Sequence, residues 1–406
     1  MKKNLIKRTL HPVRNAYYRS VPLLRSIVGK EKRILLYASG DAMTAHIRRY
    51  CEPLLSEKAY RFFLYAPDFP KKDDPKDEFQ QFIWSKGIPL CDKPRRYAWD
   101  LIVCADMRIP APFTRDITPI LYVNHGPHIT SMDGGETLYC YGEHARGKDG
   151  KPKFTKMCEA NRKIMDIMAE EDPDMATVMV HTGFKFASGM ERALQRRTEY
   201  RRLLGVTLNT CLVGLFGAWR ENSLFHALSE GIFDACESLR AYGYQFLFSI
   251  HPNEYARYDP RIQPMGPLVE LQREQGMLVR DPREDYLPYM AACDIVISDF
   301  SSMAENAILA RRKLIFSPYP DGMVWKHSLT AQARKRLPTL ESPDGLKFLL
   351  DAVRREPVDP FILEAGTQLV RRDHDQIMAA LTRKLLRMPV TDAVKDARGA
   401  ERNALL

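Results

Sequence analysis

Short apolar runs alternate with longer amphipathic stretches along most of the chain from residue 34 onward. Several of these runs have the length and the β-branched and aromatic composition of buried strands. In the first half they are RILLYA at 33–38, RFFLYA at 61–66, WDLIVCA at 99–105, PILYVN at 119–124 and TVMVH at 177–181, with ETLYCY at 136–141 as a weaker candidate. Strands that alternate with helical stretches predict an α/β protein with parallel sheets.

The second half shows the same alternation without any internal sequence repeat. Its predicted strands are CLVGLF at 211–216, YQFLFSI at 244–250, MLVR at 277–280, DIVIS at 294–298 and KLIFS at 313–317. Residues 224–241 and 360–386 have helical patterns. The simplest arrangement is two Rossmann-like domains, with parallel sheets facing a central cleft. We predict an N-terminal segment over 1–33, domains over 34–205 and 206–365, and a helical tail over 366–406 that crosses back to the first domain.

The positive charge is concentrated at the N-terminus. The chain has 406 residues and a net charge of +10, and residues 1–33 contain ten of its 61 Lys and Arg but one of its 51 Asp and Glu. The rest is nearly neutral, which disfavours nucleic-acid binding because that requires a basic stripe across the fold. Apolar residues recur every three or four positions in 4–28. This pattern predicts contact with an anionic membrane surface; a basic helix packed on its own domain and a mitochondrial targeting segment are the alternatives.

The cysteines and the hydropathy of the chain indicate a cytoplasmic protein. The eight cysteines form no CxxC pair and lie in apolar contexts, so we expect reduced core residues. No apolar run approaches the roughly 18 residues needed to span a bilayer. The basic start lacks the continuous apolar core of a secretory signal.

Polar clusters follow four of the predicted strands, where side chains of such sheets face ligands. The clusters are Asn124-His125-Gly126, Gly217-Ala218-Trp219-Arg220, Ser249–Glu254 and Ser298–Asn306. His125 is a candidate general base, because an imidazole ordinarily titrates near neutral pH, although a structural histidine would suit the same position. Arg220 could bind a phosphate in a bidentate manner, and His251 could donate to a phosphate oxygen.

The last cluster also predicts the start of a helix. Ser301 or Ser302 would cap it, with Glu305 placed as in a capping box. Backbone N–H groups at such a helix start, together with two hydroxyls, form an anion site. The phosphate motifs GxGxxG and GxxxxGK[ST] are absent, so neither a standard dinucleotide fold nor a P-loop is indicated. No clustered metal-ligand pattern is present, and no metal site is expected.

In this order, the clusters resemble the motifs of the CDP-glycerol glycerophosphotransferase family of teichoic-acid and capsule synthesis, which has a GT-B fold. The matching positions, over about residues 118–320, are Asn124-His125-Gly126, Thr182-Gly183-Phe184, Arg202–Gly205, Ala218-Trp219-Arg220, His251-Pro252 and Asp299-Phe300-Ser301-Ser302. The chain departs from the family pattern where Asn124 replaces a Trp and Thr130 replaces a frequent Lys. The acid near the end of the last motif is displaced to Glu305.

The resemblance implies an acceptor domain followed by a nucleotide-donor domain. It implies that His125 deprotonates an acceptor hydroxyl. The residues that would bind the donor diphosphate or nucleotide are Arg220, His251, Asp299, Ser301, Ser302 and Glu305. The implied donor is CDP-glycerol or a similar nucleotide, the acceptor is lipid-linked or a glycan, and neither a cofactor nor a metal is required. The enzyme would then work on the inner face of the cell membrane.

Other functions share the same predicted pocket. A GT-B glycosyltransferase that uses an NDP-sugar, or a sugar-nucleotide epimerase of the same fold, would place similar groups after the same strands. A GT-B-like protein without catalytic activity that scaffolds polysaccharide assembly is a further alternative. The displaced acid Glu305 keeps the first alternative open, because sugar-nucleotide GT-B enzymes often hold the ribose with a Glu in this helix.

Overall fold

The computed structural model describes residues 16–22, 31–38, 44–67, 78–105, 115–123, 132–133, 137–138, 145–207, 209–219, 221–255, 263–282 and 284–387. The chain divides into two compact units. The first comprises residues up to 125, 140–185 and those from 371 onward, and the second comprises 126–139 and 186–370. Each unit contains one parallel sheet, so the predicted α/β class is confirmed.

The first unit is built around a six-stranded sheet. The strands of this part of the chain are β1 (Lys32–Tyr37), β2 (Tyr60–Tyr65), β3 (Leu101–Cys104), β4 (Ile120–Tyr122), β5 (Met132–Asp133), β6 (Thr137–Leu138), β7 (Lys156–Glu159) and β8 (Met179–His181). The sheet has the order β2-β1-β3-β4-β7-β8, and all of its pairs are parallel. Strands β5 and β6 form a separate two-stranded antiparallel sheet, and they lie in the stretch 126–139 that belongs to the second unit.

Helices of the first unit cover this sheet with apolar side chains. They are α1 (16–22), α2 (Thr44–Cys51), α3 (Glu78–Ser85), α4 (Arg162–Glu171) and α5 (Pro173–Ala176). The core joins Ile34 and Val103 of the sheet to Tyr50 of α2 and Ile83 of α3. Every residue of β3 is buried, as expected for a central parallel strand.

The second unit is built around a five-stranded parallel sheet. Its elements are α6 (Ala187–Gln195), α7 (Arg197–Leu203), β9 (Cys211–Phe216), α8 (Leu224–Leu228), α9 (Gly231–Leu239), β10 (Tyr244–Ser249), α10 (Gly266–Glu274), β11 (Leu278–Val279), α11 (Leu287–Ala292), β12 (Ile295–Ser298), α12 (Ser302–Leu309), β13 (Lys313–Phe316), α13 (Leu329–Arg334), α14 (Leu346–Arg355) and α15 (Pro360–Gln368). The strand order is β11-β10-β9-β12-β13. Strand β9 is buried throughout and lies at the centre.

The order of the second sheet reverses beside β9. Strand β10 follows β9 in sequence and pairs on one side of it, whereas β12 pairs on the other side. Connections leave such a point in opposite directions, which opens a crevice beyond the carboxyl ends of the two strands. The segments that follow β9 and β12 are therefore the best placed to bind a ligand in this unit.

The observed boundary between the two units differs from the predicted boundary between the domains. The sequence suggested residues 205 and 206, but the chain passes from the first unit to the second after Lys185. Helix α7 belongs to the second unit because buried Arg201 donates to the carbonyl oxygens of Ala292, Thr207 and Thr210, at 3.0, 2.9 and 2.7 Å. The charged stretch at 191–202 is thus part of the second unit's packing.

The second crossing occurs after Val370, and helix α16 (His374–Leu385) then packs on the core of the first unit. Met378, Leu381 and Leu385 lie in the same apolar cluster as the first sheet. The Thr382 hydroxyl lies 2.9 Å from the buried Tyr50 hydroxyl. These contacts make the C-terminal helix part of the first unit's interior.

Of the predicted N-terminal segment over 1–33, Lys32 and Arg33 already belong to β1, and residues 16–22 form helix α1. In this helix Tyr18 is buried, and its hydroxyl donates to the carbonyl of Arg95, while Tyr17 is 45% exposed. Part of the segment therefore packs on the fold, and residues 1–15 and 23–30 of the predicted membrane segment lie outside the described residues. Among the helices that the structure describes, none is long and apolar enough to cross a membrane. Cys140 also lies outside the described residues; the other seven cysteines are buried and carry free thiols.

Candidate functional site

The carboxyl edge of the second sheet brings three of the sequence motifs onto adjacent strands. Gly217, Ala218 and Trp219 follow β9, His251 follows β10, and Asp299 follows β12. Parallel strands end at one edge of a sheet, so these segments are neighbours. Arg220 lies outside the described residues, and its role stays a prediction.

Asp299 links the two segments on either side of the crevice. Its carboxylate is fully buried and accepts backbone N–H groups from Ala218 at 2.6 Å, Leu224 at 3.0 Å and Ser301 at 2.9 Å. Burial raises the pKa of Asp299, and these hydrogen bonds oppose that rise. Because Ala218 and Leu224 flank Arg220, Asp299 fixes both sides of the loop that carries this arginine. The structure therefore gives Asp299 a positioning role.

Ser301 and Ser302 form the start of helix α12. The Ser301 hydroxyl caps the helix by accepting the N–H of Met303 at 3.3 Å, and Ser302 is the first helical residue. The expected capping box is not formed, because Asp299 accepts the N–H of Ser301 and Glu305 lies at the fourth helical position. Both serines thus stand where the first backbone N–H groups and the helix dipole favour an anion.

His251 is held in one tautomer by its own turn. Its Nδ1 accepts the backbone N–H of Asn253 at 3.1 Å, so the proton of the neutral ring is on Nε2. The ring stacks on Trp219, with centroids 6.0 Å apart and an angle of 28° between the planes. In this tautomer Nε2 is a hydrogen-bond donor, as binding of a phosphate oxygen requires.

Glu305 faces the interior of the second unit. Its carboxyl group is fully buried, and the Thr330 hydroxyl donates to Oε1 at 3.4 Å. Contact with a nucleotide ribose would require this side chain to leave its position beside α13. That role of Glu305 stays a prediction.

A buried histidine–carboxylate pair, which the sequence analysis did not identify, supports the loop after β10. His226 donates from Nε2 to both carboxylate oxygens of Glu254, at 3.1 and 3.0 Å. Glu254 also accepts the N–H of Met265 at 3.0 Å. Glu254 lies three residues after His251, so this pair anchors the turn that carries it. The only sequence signal was the position of Glu254 within the polar cluster.

Arg280 adds a buried positive charge near the same edge, directly after β11. Its Nε–H donates to the Ser249 hydroxyl at 2.8 Å, and Nη1 donates to the carbonyl oxygens of Asp281 at 3.0 Å and Glu284 at 2.7 Å. Burial lowers the pKa of this guanidinium. The side chain ties the ends of β10 and β11 together.

The carboxyl edge of the first sheet contains a second residue that the sequence analysis did not identify. The Lys185 amine donates to the carbonyl of Val123, at the end of β4, with a distance of 2.7 Å. Burial lowers the pKa of Lys185 to about 7. His125 lies two residues after Val123 but outside the described residues, so its role as a base stays a prediction. Lys185 therefore contacts the last described residue before the motif that contains His125.

The Thr182-Gly183 turn has a structural explanation. Gly183 has a φ of +69°, and a Cβ placed on it would come within 2.3 Å of the Cβ of Arg371. The His374 ring donates from Nδ1 to the carbonyl of Thr182 at 2.7 Å. Glycine thus permits the close approach of the returning chain to this turn, within the first unit.

No group of three or more His, Cys, Asp and Glu side chains with the arrangement of a metal site occurs in the described part of the chain. The carboxyl groups of Asp299 and Glu254 at the carboxyl edge of the second sheet are bonded to protein donors, and the other polar groups there are hydroxyls, backbone N–H groups, an imidazole and a guanidinium. These are groups that bind anions.

The comparisons with solved structures identify the fold. A histidine-to-asparagine variant of the wall teichoic acid polymerase TagF, in a structure soaked with CDPG, superposes with a TM-score of 0.62, at 13% identity over 95% of this chain and 98% of the solved TagF chain. MnaA of S. aureus with UDP gives 0.53, at 10% identity over 88% and 98% of the two chains. Anabaena HepE with UDP-glucose gives 0.51, at 13% identity over 87% and 99%. No protein-family model and no curated protein sequence matches the chain.

These neighbours have the architecture that the resemblance predicted. Two parallel-sheet α/β units occur in one chain, and the match to TagF extends over nearly the whole length of both proteins. The predicted GT-B-like fold is confirmed, and it is the fold of TagF, MnaA and HepE.

Proposed function

We propose that the chain is a transferase that moves glycerol phosphate, or a related polyol phosphate, from a CDP-activated donor to a hydroxyl group. The acceptor would be a lipid-linked molecule or a glycan in the synthesis of a cell-envelope polymer. One observation carries the proposal. In a fold shared with TagF, the chain places Trp219, His251 and the Ser301-Ser302 helix start after adjacent strands of the second sheet.

The proposed reaction is a phosphoryl transfer. The acceptor oxygen attacks the phosphorus that carries the polyol, a new P–O bond forms, and the bond to the bridging oxygen of the diphosphate breaks. CMP leaves with that electron pair. His125 takes the proton of the acceptor hydroxyl, as a near-neutral imidazole can. The acceptor hydroxyl and the donor are thereby converted into a phosphodiester and CMP.

Stabilisation of the diphosphate is the main task of the second unit in this proposal. Arg220 and the Nε2–H of His251 would bind phosphate oxygens, together with the hydroxyls and first N–H groups at Ser301 and Ser302. Such preorganised donors stabilise charge on the leaving group. Asp299 would act indirectly, by holding the loop of Arg220 and the start of α12. The set of donors requires no cofactor in this scheme.

The basic N-terminal segment would bring the enzyme to its acceptor. Its net charge of +9 over residues 1–33 suits an anionic membrane surface on the cytoplasmic side, where a lipid-linked acceptor would be found. The burial of Tyr18 is compatible with this, since Tyr17 and Arg19 of the same helix are exposed.

A glycosyltransferase that uses an NDP-sugar is the second candidate. It is supported by the structural matches to MnaA with UDP and to HepE with UDP-glucose, which have lower TM-scores than the match to TagF. An epimerase acting on a sugar nucleotide would need the same pocket. The preferred nucleotide base therefore distinguishes the candidates, because the first candidate function requires a cytidine nucleotide.

Donor choice can be tested with the purified full-length chain. We expect CMP and CDP to raise the melting temperature more than UDP, because a bound ligand stabilises the folded state. Release of CMP from CDP-glycerol in the presence of membrane extract should occur with the wild type and be lost in His125→Ala, with CDP binding retained. Stabilisation by UDP alone, with turnover of a UDP-sugar, would instead support the second candidate.

A further inference from the structure

A basic pocket lies at the opposite edge of the second sheet from the candidate donor site. Its volume is about 400 Å³. The pocket adjoins the first residues of β9, β12 and β13, which are adjacent strands. Because β9 has six residues, the two edges are separated by about 17 Å of strand. The pocket is therefore distinct from the site proposed for the donor.

The lining of the pocket has a strong excess of positive charge. Five cations and one carboxylate are among its lining residues; they are Arg197, Arg311, Arg312, Lys313, Arg354 and Asp294. Potentials inside a concave protein surface are focused by the low-dielectric walls. This excess of positive charge favours binding of a multivalent anion.

The single carboxylate is already engaged. Asp294 accepts from Arg197 through Oδ1 and, through Oδ2, from Arg201 at 2.9 Å and from the N–H of Leu212 at 2.8 Å. No other pocket cation has a carboxylate within ion-pair distance in the described part of the chain. Among the described residues, four pocket cations thus have no carboxylate within ion-pair distance.

The hydrogen bonds of these four cations do not neutralise them. Arg312 donates to the carbonyl oxygens of Ala310 at 2.8 Å and Cys293 at 3.2 Å, and the Lys313 amine donates to the Arg354 carbonyl at 2.8 Å. Burial, followed by the charge of Arg197, lowers the pKa of Arg312 to about 10. The protein alone therefore holds the charge of Arg312 at an electrostatic cost that an anion would offset.

Arg311 is an unusual residue for its backbone position. It follows Ala310, the C-cap of α12, and has a φ of +52°. Glycine or asparagine is the common residue there, because a Cβ is disfavoured in the left-handed region. Arginine at this position brings a guanidinium to the pocket in spite of the strained backbone. This observation is independent of the charge count.

We propose that this pocket binds a phosphate-bearing anion through the guanidinium groups of Arg311, Arg312 and Arg354. Guanidinium groups bind phosphate oxygens in a bidentate manner, and their surplus charge matches phosphate mono- or diesters better than it matches one carboxylate. None of the lining residues is among the large exposed apolar side chains of the described chain. The proposal does not depend on the identity of the donor.

The test compares two variants of the full-length protein. Arg311→Gly/Arg354→Gln removes two pocket charges, and glycine suits the backbone at 311, so the fold is preserved. Arg355→Gln removes the neighbouring exposed charge of α14, which does not line the pocket. Calorimetric titration with inorganic pyrophosphate at about 0.15 M ionic strength keeps long-range screening constant.

We expect the double variant to lose binding by about tenfold or more, and the control to change by less than about twofold. Pyrophosphate bound at the donor site is common to both variants and cancels in the comparison. Flotation with vesicles of equal parts phosphatidylcholine and phosphatidylglycerol separates the sources of the phosphate. If the double variant loses vesicle binding and the control variant does not, the phosphate of the ligand belongs to a lipid headgroup. Equal binding of pyrophosphate and of vesicles by both variants would overturn the proposal.

Discussion

At the scale of single residues, burial determines what the polar groups of the two sheet edges can do. Asp299 and Lys185 both lie at carboxyl edges, and both bind backbone atoms of a neighbouring loop. A charged group in such a place is costly unless it is hydrogen-bonded. Their role is therefore to fix loop positions, and their ionisation is coupled to the stability of the fold.

Lys185→Met should change the pH dependence of stability. The folded chain holds this amine with a pKa of about 7, against an ordinary value of 10.5, so the unfolded chain binds more protons between these values. The free energy of unfolding of the wild type therefore rises with pH in this interval. The variant lacks this dependence. Loss of the hydrogen bond to Val123 lowers its free energy of unfolding by the same amount at every pH.

Melting temperatures from about pH 6.5 to about pH 9.5 check this. The melting temperature of Lys185→Met minus that of the wild type should be largest at the acidic end of this range and should fall as the pH rises. Lys335→Met, at an exposed position, serves as the control. A difference that is constant with pH would show that Lys185 is solvated.

The sequence identified the polar residues of the second sheet's edge but not how each of them acts. Ser301 could be assigned as a cap because capping is local, and it does cap α12. The burial of Asp299 and Glu305 could not be foreseen, because it depends on α13 and on the loop after β9, which are distant in sequence. Lys185 could not be identified either, since its partner Val123 lies 62 positions away.

At the scale of elements, the local pattern predicted the long buried strands. It did not predict the interruption of a helix at one residue or a strand with charged ends. CLVGLF at 211–216 matches β9 in full. The single helix expected over 224–241 is divided into α8 and α9 because Ser229 has a φ of +55°, which interrupts the helix. Strand β7, KMCE, was missed because its ends are charged and only its position between β4 and β8 makes it a strand.

Asp299→Asn should loosen the connection between the ends of β9 and β12. Asparagine keeps one acceptor oxygen but turns an NH₂ group toward a backbone N–H that the carboxylate satisfied. We expect a loss of about 1–3 kcal/mol in the free energy of unfolding. Under the proposed function, the affinity for CDP should fall as well, because the Arg220 loop and the start of α12 lose their common anchor.

Urea unfolding and CDP titration measure these two effects. Asp285→Asn is a suitable control, because this side chain is only half-buried and its carboxylate accepts the backbone N–H of Leu287 at 3.0 Å, within its own loop. Unchanged stability in Asp299→Asn would contradict the anchoring role of this carboxylate.

At the scale of the whole molecule, the net positive charge is concentrated in the N-terminal segment. The segment over 1–33 has a net charge of +9, and the remaining residues have a net charge of +1. The sequence composition shows this uneven distribution of charge. It does not show where the chain crosses from one unit to the other. The predicted boundaries missed α6 and α7 because their contacts with α11 are tertiary.

A charge variant of the N-terminal segment tests the proposed membrane contact while leaving Tyr18 in place. The substitutions to Gln are at Lys2, Lys3, Lys7 and Arg8. Each basic residue near an anionic surface contributes about 1 kcal/mol, so partition onto phosphatidylglycerol vesicles should fall more than about tenfold. The matched control changes four exposed residues to Gln, namely Arg192, Arg202, Lys335 and Arg355.

Sedimentation with vesicles provides the measurement, and an unchanged melting temperature shows that the fold is intact. Equal partition of the two quadruple variants would exclude a specific role for the N-terminal charges. In that case the segment would serve the fold through the contact between Tyr18 and Arg95.

The return of α16 to the first unit has a consequence for biosynthesis. Met378, Leu381 and Leu385 belong to the same core as Ile34 and Val103, although hundreds of residues are translated in between. Most of the second unit forms from one continuous stretch, 186–370, and it can begin to fold as soon as that stretch leaves the ribosome. The first unit, although synthesised earlier, must wait for the C-terminal helix to close its core. A nascent chain stalled before residue 374 would therefore expose the apolar face of the first sheet to chaperones.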